Sequence, residues 1–105
     1  MAILLSRRAR SDLDEIRDYT LERWGQDQWF KYYRGISAAL ELIQARPEEG
    51  KPRDLFAPGL MSVLCQKHII FYRRSEAANG AIVVVRIVHQ ARHLPALAYY
   101  DDLAD

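Results

Sequence analysis

The sequence is short of cysteine, of net charge and of long apolar runs, and each shortage excludes something. Cys65 is the only cysteine among 105 residues. No internal disulfide can form, and no cysteine-based zinc knuckle can be built. A lone cysteine fits a reducing compartment. Fifteen Lys+Arg stand against fourteen Asp+Glu, a net charge of +1. That excludes the strongly basic footprint of a stand-alone nucleic-acid binder and the composition of an acidic disordered tail. The apolar run Ala81 to Val85 is strand length, far below the ~18 unbroken apolar residues of a membrane span. Met-Ala-Ile-Leu-Leu precedes Arg7, Arg8 and Arg10, the reverse of signal-peptide order. The chain therefore reads as soluble, unprocessed and cytoplasmic, with no membrane partner. Gly-x-Ser-x-Gly, the P-loop and Gly-x-Gly-x-x-Gly are all missing, so the common hydrolase and nucleotide motifs give no support.

What is present fits one domain spanning residues 1–105, half of it apolar. Ala2 to Leu5 is a short apolar strand, and Ser6 offers a helix N-cap oxygen. Ala9, Leu13, Ile16, Tyr19 or Thr20, and Trp24 recur at three and four, one face of a helix. Acidic residues fill its other faces, and Gly25 suits a left-handed stop. Asp27 is a plausible cap for a second helix, whose stripe runs Trp29, Tyr33, Ile36, Leu40 and Ile43. Pro47 ends it, because proline disfavours helical geometry at Arg46. Two periodic segments this close form an antiparallel helix pair. Glu48 to Gly59 reads as loop. Leu60 to Gln66, His68 to Arg74 and Ala81 to His89 read as strands, with a turn near Lys67 and an Asn79-Gly80 hairpin signal. The β-branched third run is expected to be the central strand.

The predicted fold is α+β in the order β-α-α-β-β-β. A helical hairpin packs on one face of a small, mainly antiparallel sheet, the first strand lies at an edge, and the other face is bare except for the tail. A bare sheet face is a binding surface.

Charge becomes uneven on that sheet. From Leu60 to His93 there are five Lys+Arg, including Arg73, Arg74, Arg86 and Arg92, against the single acid Glu76, with an acidic first helix opposite. Alternation puts Ile82, Val84, Arg86 and Val88 on one face of their strand. Arg86 lies inside an apolar strand, where an unpaired guanidinium is costly. It is either held in a structural ion pair, or snorkels to the sheet rim, or forms an anion or backbone-contact site on the bare face. Arg73 and Arg74 read as strand-end charges or as part of the same basic surface. His89 with His93 lacks a third ligand, so no metal or other cofactor is expected. His89 as a general base competes with a satisfied strand-end histidine. Cys65 reads as a small buried hydrophobe. Trp24, Trp29, Tyr32 and Tyr33 cluster near the helix turn as core packing or as a partner surface. Among them Trp29 and Tyr33 lie on a stripe wider than one small sheet covers.

Leu5-Ser6-Arg7-Arg8-Ala9-Arg10-Ser11-Asp12-Leu13-Asp14-Glu15-Ile16 resembles the opening of the ParE toxins of the RelE/ParE superfamily. Glu22-Arg23-Trp24-Gly25, Pro47 to Gly50, His68-Ile69-Ile70-Phe71-Tyr72-Arg73 and Val85 through His93 continue the likeness in order. The resemblance implies a toxin of a type II toxin–antitoxin module that inhibits DNA gyrase, blocks replication and arrests growth. A ParD-like antitoxin would neutralise it by wrapping a disordered segment around it in a hetero-oligomer. The resemblance carries over Arg73, Arg86 and Arg92 as candidate contacts; with Arg74 and His89 of the basic sheet and Trp29 and Tyr33 of the helix stripe they make the expected antitoxin- or target-binding set. The family often has a basic residue where this chain has Ala91, so the basic cluster of the tail is thinner here. The sister branch is the RelE-like ribosome-dependent mRNA nucleases. On that reading His89, Arg86 and Arg73, with Tyr99 or Tyr100, would be catalytic. The chain lacks the dense basic surface such nucleases need, and +1 argues against nucleic-acid binding by the chain alone. A third reading is a non-toxic module that only binds antitoxin.

Overall fold

The computed structural model describes residues 3–91. Strand β1 (Ile3–Leu5) leads into α1 (Arg7–Trp24), then α2 (Gln26–Ala45). Strands β2 (Lys51–Pro52), β3 (Met61–Cys65), β4 (His68–Ser75) and β5 (Ala81–His89) follow. They form one sheet in the order β1-β5-β4-β3-β2. Only β1 runs parallel to its neighbour, pairing Ile3 with Ile82 and Leu5 with Val84. The fold is α+β, as the sequence pattern predicts, with the first strand at an edge.

Local chemistry sets the helix ends. The Ser6 hydroxyl accepts the Ala9 amide at 3.0 Å and donates to the Val85 carbonyl at 2.9 Å, so one side chain caps α1 and ties it to the sheet. Gly25, at φ 87°, joins the two helices in a conformation costly for any residue with a Cβ. It also replaces Asp27 as the cap of α2: the helix starts at Gln26, and Asp27 falls in its first turn. Asn79 at φ 58° and Gly80 at φ 79° make the predicted hairpin turn.

Further expectations give way. First, β4 is the central strand, while β5 is interior between β1 and β4. Second, the loop holds a two-residue strand, β2, too short for a periodicity signal. Third, α1 is not acidic, because Arg7, Arg8, Arg10, Arg17 and Arg23 balance its five acids. Fourth, the sheet face away from the helices is not bare. Leu60, Phe71, Val85 and Val88 are buried there, and Phe56 and Ala57 of the 53–60 loop pack over them. The chain thus makes two cores, the larger one under the helices around Ile36, Ile43, Ile70, Tyr72, Val84 and Ile87.

A β-bulge breaks the simple alternation of β5. Phe71 pairs with Arg86 but Tyr72 with Val84, leaving Val85 unopposed. Ile82, Val84 and Ile87 therefore face the helices, whereas Val85 and Val88 face the loop. Val88 does not share a face with Val84 as a strict period of two requires.

Candidate partner-binding surface

Arg86 is 4% exposed and is not a surface cation. Its Nε donates to Asp12 Oδ2 at 2.8 Å and its Nη2 to Asp12 Oδ1 at 3.1 Å. The Ile87 amide also donates to Asp12 Oδ2, at 3.0 Å. β1 ends its pairing at Val84, so it does not reach this amide, and Asp12 of α1 takes the place of a strand. Of the roles weighed for Arg86, the buried ion pair is the one present. Its guanidinium is used up inside the protein and presents nothing to a partner. Asp12 was legible in hindsight, since it sits three residues after Ala9 and four before Ile16, on the buried stripe of α1.

His89 ends β5 and is exposed. It lies opposite His68, ring centroids 5.1 Å apart and nearly perpendicular. Nδ1 of His89 accepts the Ala91 amide at 3.0 Å. That contact engages the Nδ1 lone pair with the backbone, as a strand-end histidine satisfied by its neighbours does. The Tyr32 hydroxyl is hydrogen-bonded to Nδ1 of His68 and accepts the Lys67 amide at 3.4 Å. Burial pushes the Tyr32 phenol above its ordinary value, with the Lys67 amide pulling the other way. Burial likewise raises the Cys65 thiol, whose Sγ donates to the Gly35 carbonyl, as expected of an inert hydrophobe.

A cleft of about 670 Å³ opens between α1 and this end of the sheet. Its described lining includes Ile16, Tyr19, Thr20 and Trp24 of α1, Gln28 and Tyr32 of α2, Lys67, and Ile87 to His89. Thr20, not Tyr19, fills the inward position of α1, and its hydroxyl donates to the Ile16 carbonyl at 2.7 Å. Tyr19 is exposed, with the Arg23 guanidinium 5.3 Å from its ring centre. On α2 the Trp29 and Tyr33 rings sit 5.5 Å apart. Trp29 leans on the core, while Tyr33, Phe30 and Leu42 stay in solvent.

Arg73 and Arg74 occupy the other end of β4. Arg74 Nη1 donates to the Gly80 carbonyl at 3.2 Å, and Arg73 Nη1 to the Arg74 carbonyl at 3.5 Å. Arg73 pairs with Val83 and His68 with His89. Six residues of strand, roughly 20 Å, separate Arg73 from His89. The trio His89, Arg86 and Arg73 is therefore not one catalytic constellation: one member is buried in an ion pair and the other two are at opposite ends of the sheet. Arg92, Tyr99 and Tyr100, with His93, lie outside the described residues.

Comparison with known proteins decides the family. The model for the ParE toxin of the type II toxin–antitoxin system parDE matches residues 3–94. This chain belongs to the ParE toxin family. It is 34% identical over 92 residues to Toxin ParE1 of Caulobacter vibrioides, covering 88% of this chain and 92% of the relative. To Toxin ParE1 of Mycobacterium tuberculosis it is 39% identical over 87 residues, covering 83% and 87%. A solved structure described as the chromosomal ParDE TA system from P. aeruginosa shares the fold, with a TM-score of 0.70 at 22% identity over 85% of this chain and 95% of that one. No helix among the described residues of this ParE-family chain is long and apolar enough to cross a membrane. Its accessible candidates for partner contact are Tyr33, the half-buried Trp29 and Arg73, Arg74 and His89.

Proposed function

We propose that this ParE-family chain, a single toxin domain over residues 1–105, inhibits DNA gyrase in the cytoplasm and so stops replication. A ParD-like antitoxin neutralises it within a toxin–antitoxin hetero-oligomer. The observation that carries this reading is the match of the ParE toxin model over residues 3–94. The separation of His89 from Arg73, and the engagement of Arg86 by Asp12, favour it over the RelE-like nuclease alternative. A ribose 2′-hydroxyl, a developing phosphorane and a leaving oxygen need converging groups within hydrogen-bond reach of one point. Antitoxin and target contacts fall to Trp29, Tyr33, Arg73, Arg74 and His89, with Arg92 beyond the described residues.

The test adds purified protein to gyrase with relaxed plasmid and ATP while mRNA cleavage on translating ribosomes is mapped in parallel. Loss of supercoiling without mRNA cuts is expected. Codon-dependent cuts with unimpaired gyrase would move the chain to the nuclease branch. No effect in either assay, with antitoxin binding intact, would leave a non-toxic binding module.

A further inference from the structure

The side of β5 that faces β1 is only half covered. β1 pairs with Ile82 to Val84, the Ser6 hydroxyl donates to the Val85 carbonyl, and Asp12 accepts the Ile87 amide. The Gln90 amide donates to the Lys67 carbonyl at 2.8 Å, so Gln90 turns its backbone groups toward β4. With a period of two, Ile87 and His89 turn theirs the other way, toward α1. Among the described residues no strand pairs with Ile87 or His89 on that side. The Ile87 carbonyl and the His89 amide therefore lie along the floor of the cleft between α1 and the end of the sheet.

The walls above that floor are apolar. Ile16 and Val88 are buried, but Tyr19 and Trp24 on the α1 wall are 58% and 68% exposed. Exposed aromatics beside backbone groups that no strand pairs with suit an occupant that is both apolar and hydrogen-bonding, which is what a polypeptide segment offers. The chain supplies one at the mouth of the cleft. β5 ends at His89, which lines the cleft, and fourteen residues, 92–105, follow Ala91. They carry Leu94, Leu97, Tyr99 and Tyr100, then Asp101, Asp102 and Asp105. The stretch of α1 from Thr20 back to Arg8 is ~18 Å long, and residues 92–101 can span up to ~33 Å. The apolar residues can thus reach the cleft, and the aspartates can reach the first turn of α1, which carries Arg7, Arg8 and Arg10.

We propose that this cleft is the seat of the chain's own carboxyl-terminal segment, residues 92–105. The segment folds back from Ala91 along α1, sets Leu94 and Leu97 against Ile16, Val88 and Trp24, and meets the His89 amide with its backbone. Its aspartates then lie toward the arginines that open α1. A second copy or a foreign segment has to compete with a segment tethered a few residues away, at an effective concentration on the order of millimolar. While the segment is seated, Trp24 and the uncovered side of β5 are closed to any partner.

The test is amide hydrogen exchange of the full chain, as wild type and as the double variant Leu94→Asp, Leu97→Asp, each at two protein concentrations. The His89 amide is expected to be protected in the wild type and to exchange about tenfold faster or more in the variant, the loss of about one hydrogen bond. The Gln90 amide, bonded to Lys67, is expected to stay slow in both, which shows that the sheet is intact in the variant. A nitroxide on Ala98→Cys, in a Cys65→Ala background, is expected to broaden the Ile16 and Thr20 resonances. A His89 amide that exchanges at one rate in both proteins, without broadening at Ile16 and Thr20, overturns the proposal. Protection of His89 that rises with protein concentration assigns the cleft to a second copy and overturns it as well.

Discussion

The Arg86 guanidinium and the Asp12 carboxylate form a two-point ion pair, at 2.8 and 3.1 Å, that joins α1 to β5 in the interior of the protein. Both residues are buried, and Asp12 also satisfies the Ile87 amide. Removing one partner leaves the other charge stranded, which costs about 3–5 kcal/mol. Arg86→Ala and Asp12→Ala are each expected to lose that much in urea unfolding. Asp12→Leu combined with Arg86→Met is expected to lose less than either single change, since the stranded charge is gone. Loss of toxicity in Arg86→Ala therefore reports unfolding, and an Arg86→Ala protein of wild-type stability would refute the internal role.

Alkaline stability follows from the raised phenols. Tyr32 and Tyr72, ordinarily near 10, are both pushed up by burial, as is Cys65 from its ordinary 9.0. The unfolded chain then gives up these protons at lower pH than the folded one. Their contribution is complete below the unfolded values and is lost as pH climbs through the raised folded values. Stability is expected to hold to about pH 9 and to fall above pH 10, with Tyr32→Phe showing a shallower alkaline decline. A pH-independent midpoint from 8 to 11 would contradict this.

Two glycines are expected to respond differently to alanine. A Cβ at Gly50 would collide with the Tyr72 hydroxyl and ring and press on the Ser62 carbonyl, and that hydroxyl is fixed by its bond to the Pro47 carbonyl. Gly50→Ala is expected to cost about 1–3 kcal/mol, partly relieved by Tyr72→Phe. At Gly35 the collision is with the end of the Gln66 side chain, which can swing away. The helix gains up to about 1 kcal/mol from alanine, so Gly35→Ala is expected to be near neutral. Thermal melts of both variants decide it.

Tyr33 and Arg74 are exposed, so Tyr33→Ala and Arg74→Glu are expected to change stability by no more than about 0.5 kcal/mol. Antitoxin or gyrase binding is expected to weaken by roughly 1–2 kcal/mol, read by calorimetric titration. Unaltered affinity for both partners would remove these residues from the contact surface.

Much of the fold was legible because the signals are local. The Ser6 cap, the Gly25 break, the stop before Pro47 and the Asn79-Gly80 turn each act within a few residues. The site was less legible because its determinants are distant in sequence. Arg86 announced a need for an acid, but Asp12 lies 74 residues away. The bulge at Val85 reverses the facing of everything after it, and alternation alone does not reveal a bulge. Phe56 and Ala57 sit in a loop rich in proline and glycine, which hid their return over the sheet. His68 and Tyr32 meet only because the β3–β4 turn comes under α2.

Gyrase inhibition by this chain is tested most directly through gyrase-dependent DNA breakage. Purified toxin is incubated with gyrase, supercoiled plasmid and ATP, then quenched with detergent and protease. Linear plasmid that accumulates with toxin, requires gyrase and disappears when antitoxin is added first is the expected result. Plasmid that stays closed while gyrase turns over normally, with a folded toxin that still binds its antitoxin, would contradict the account.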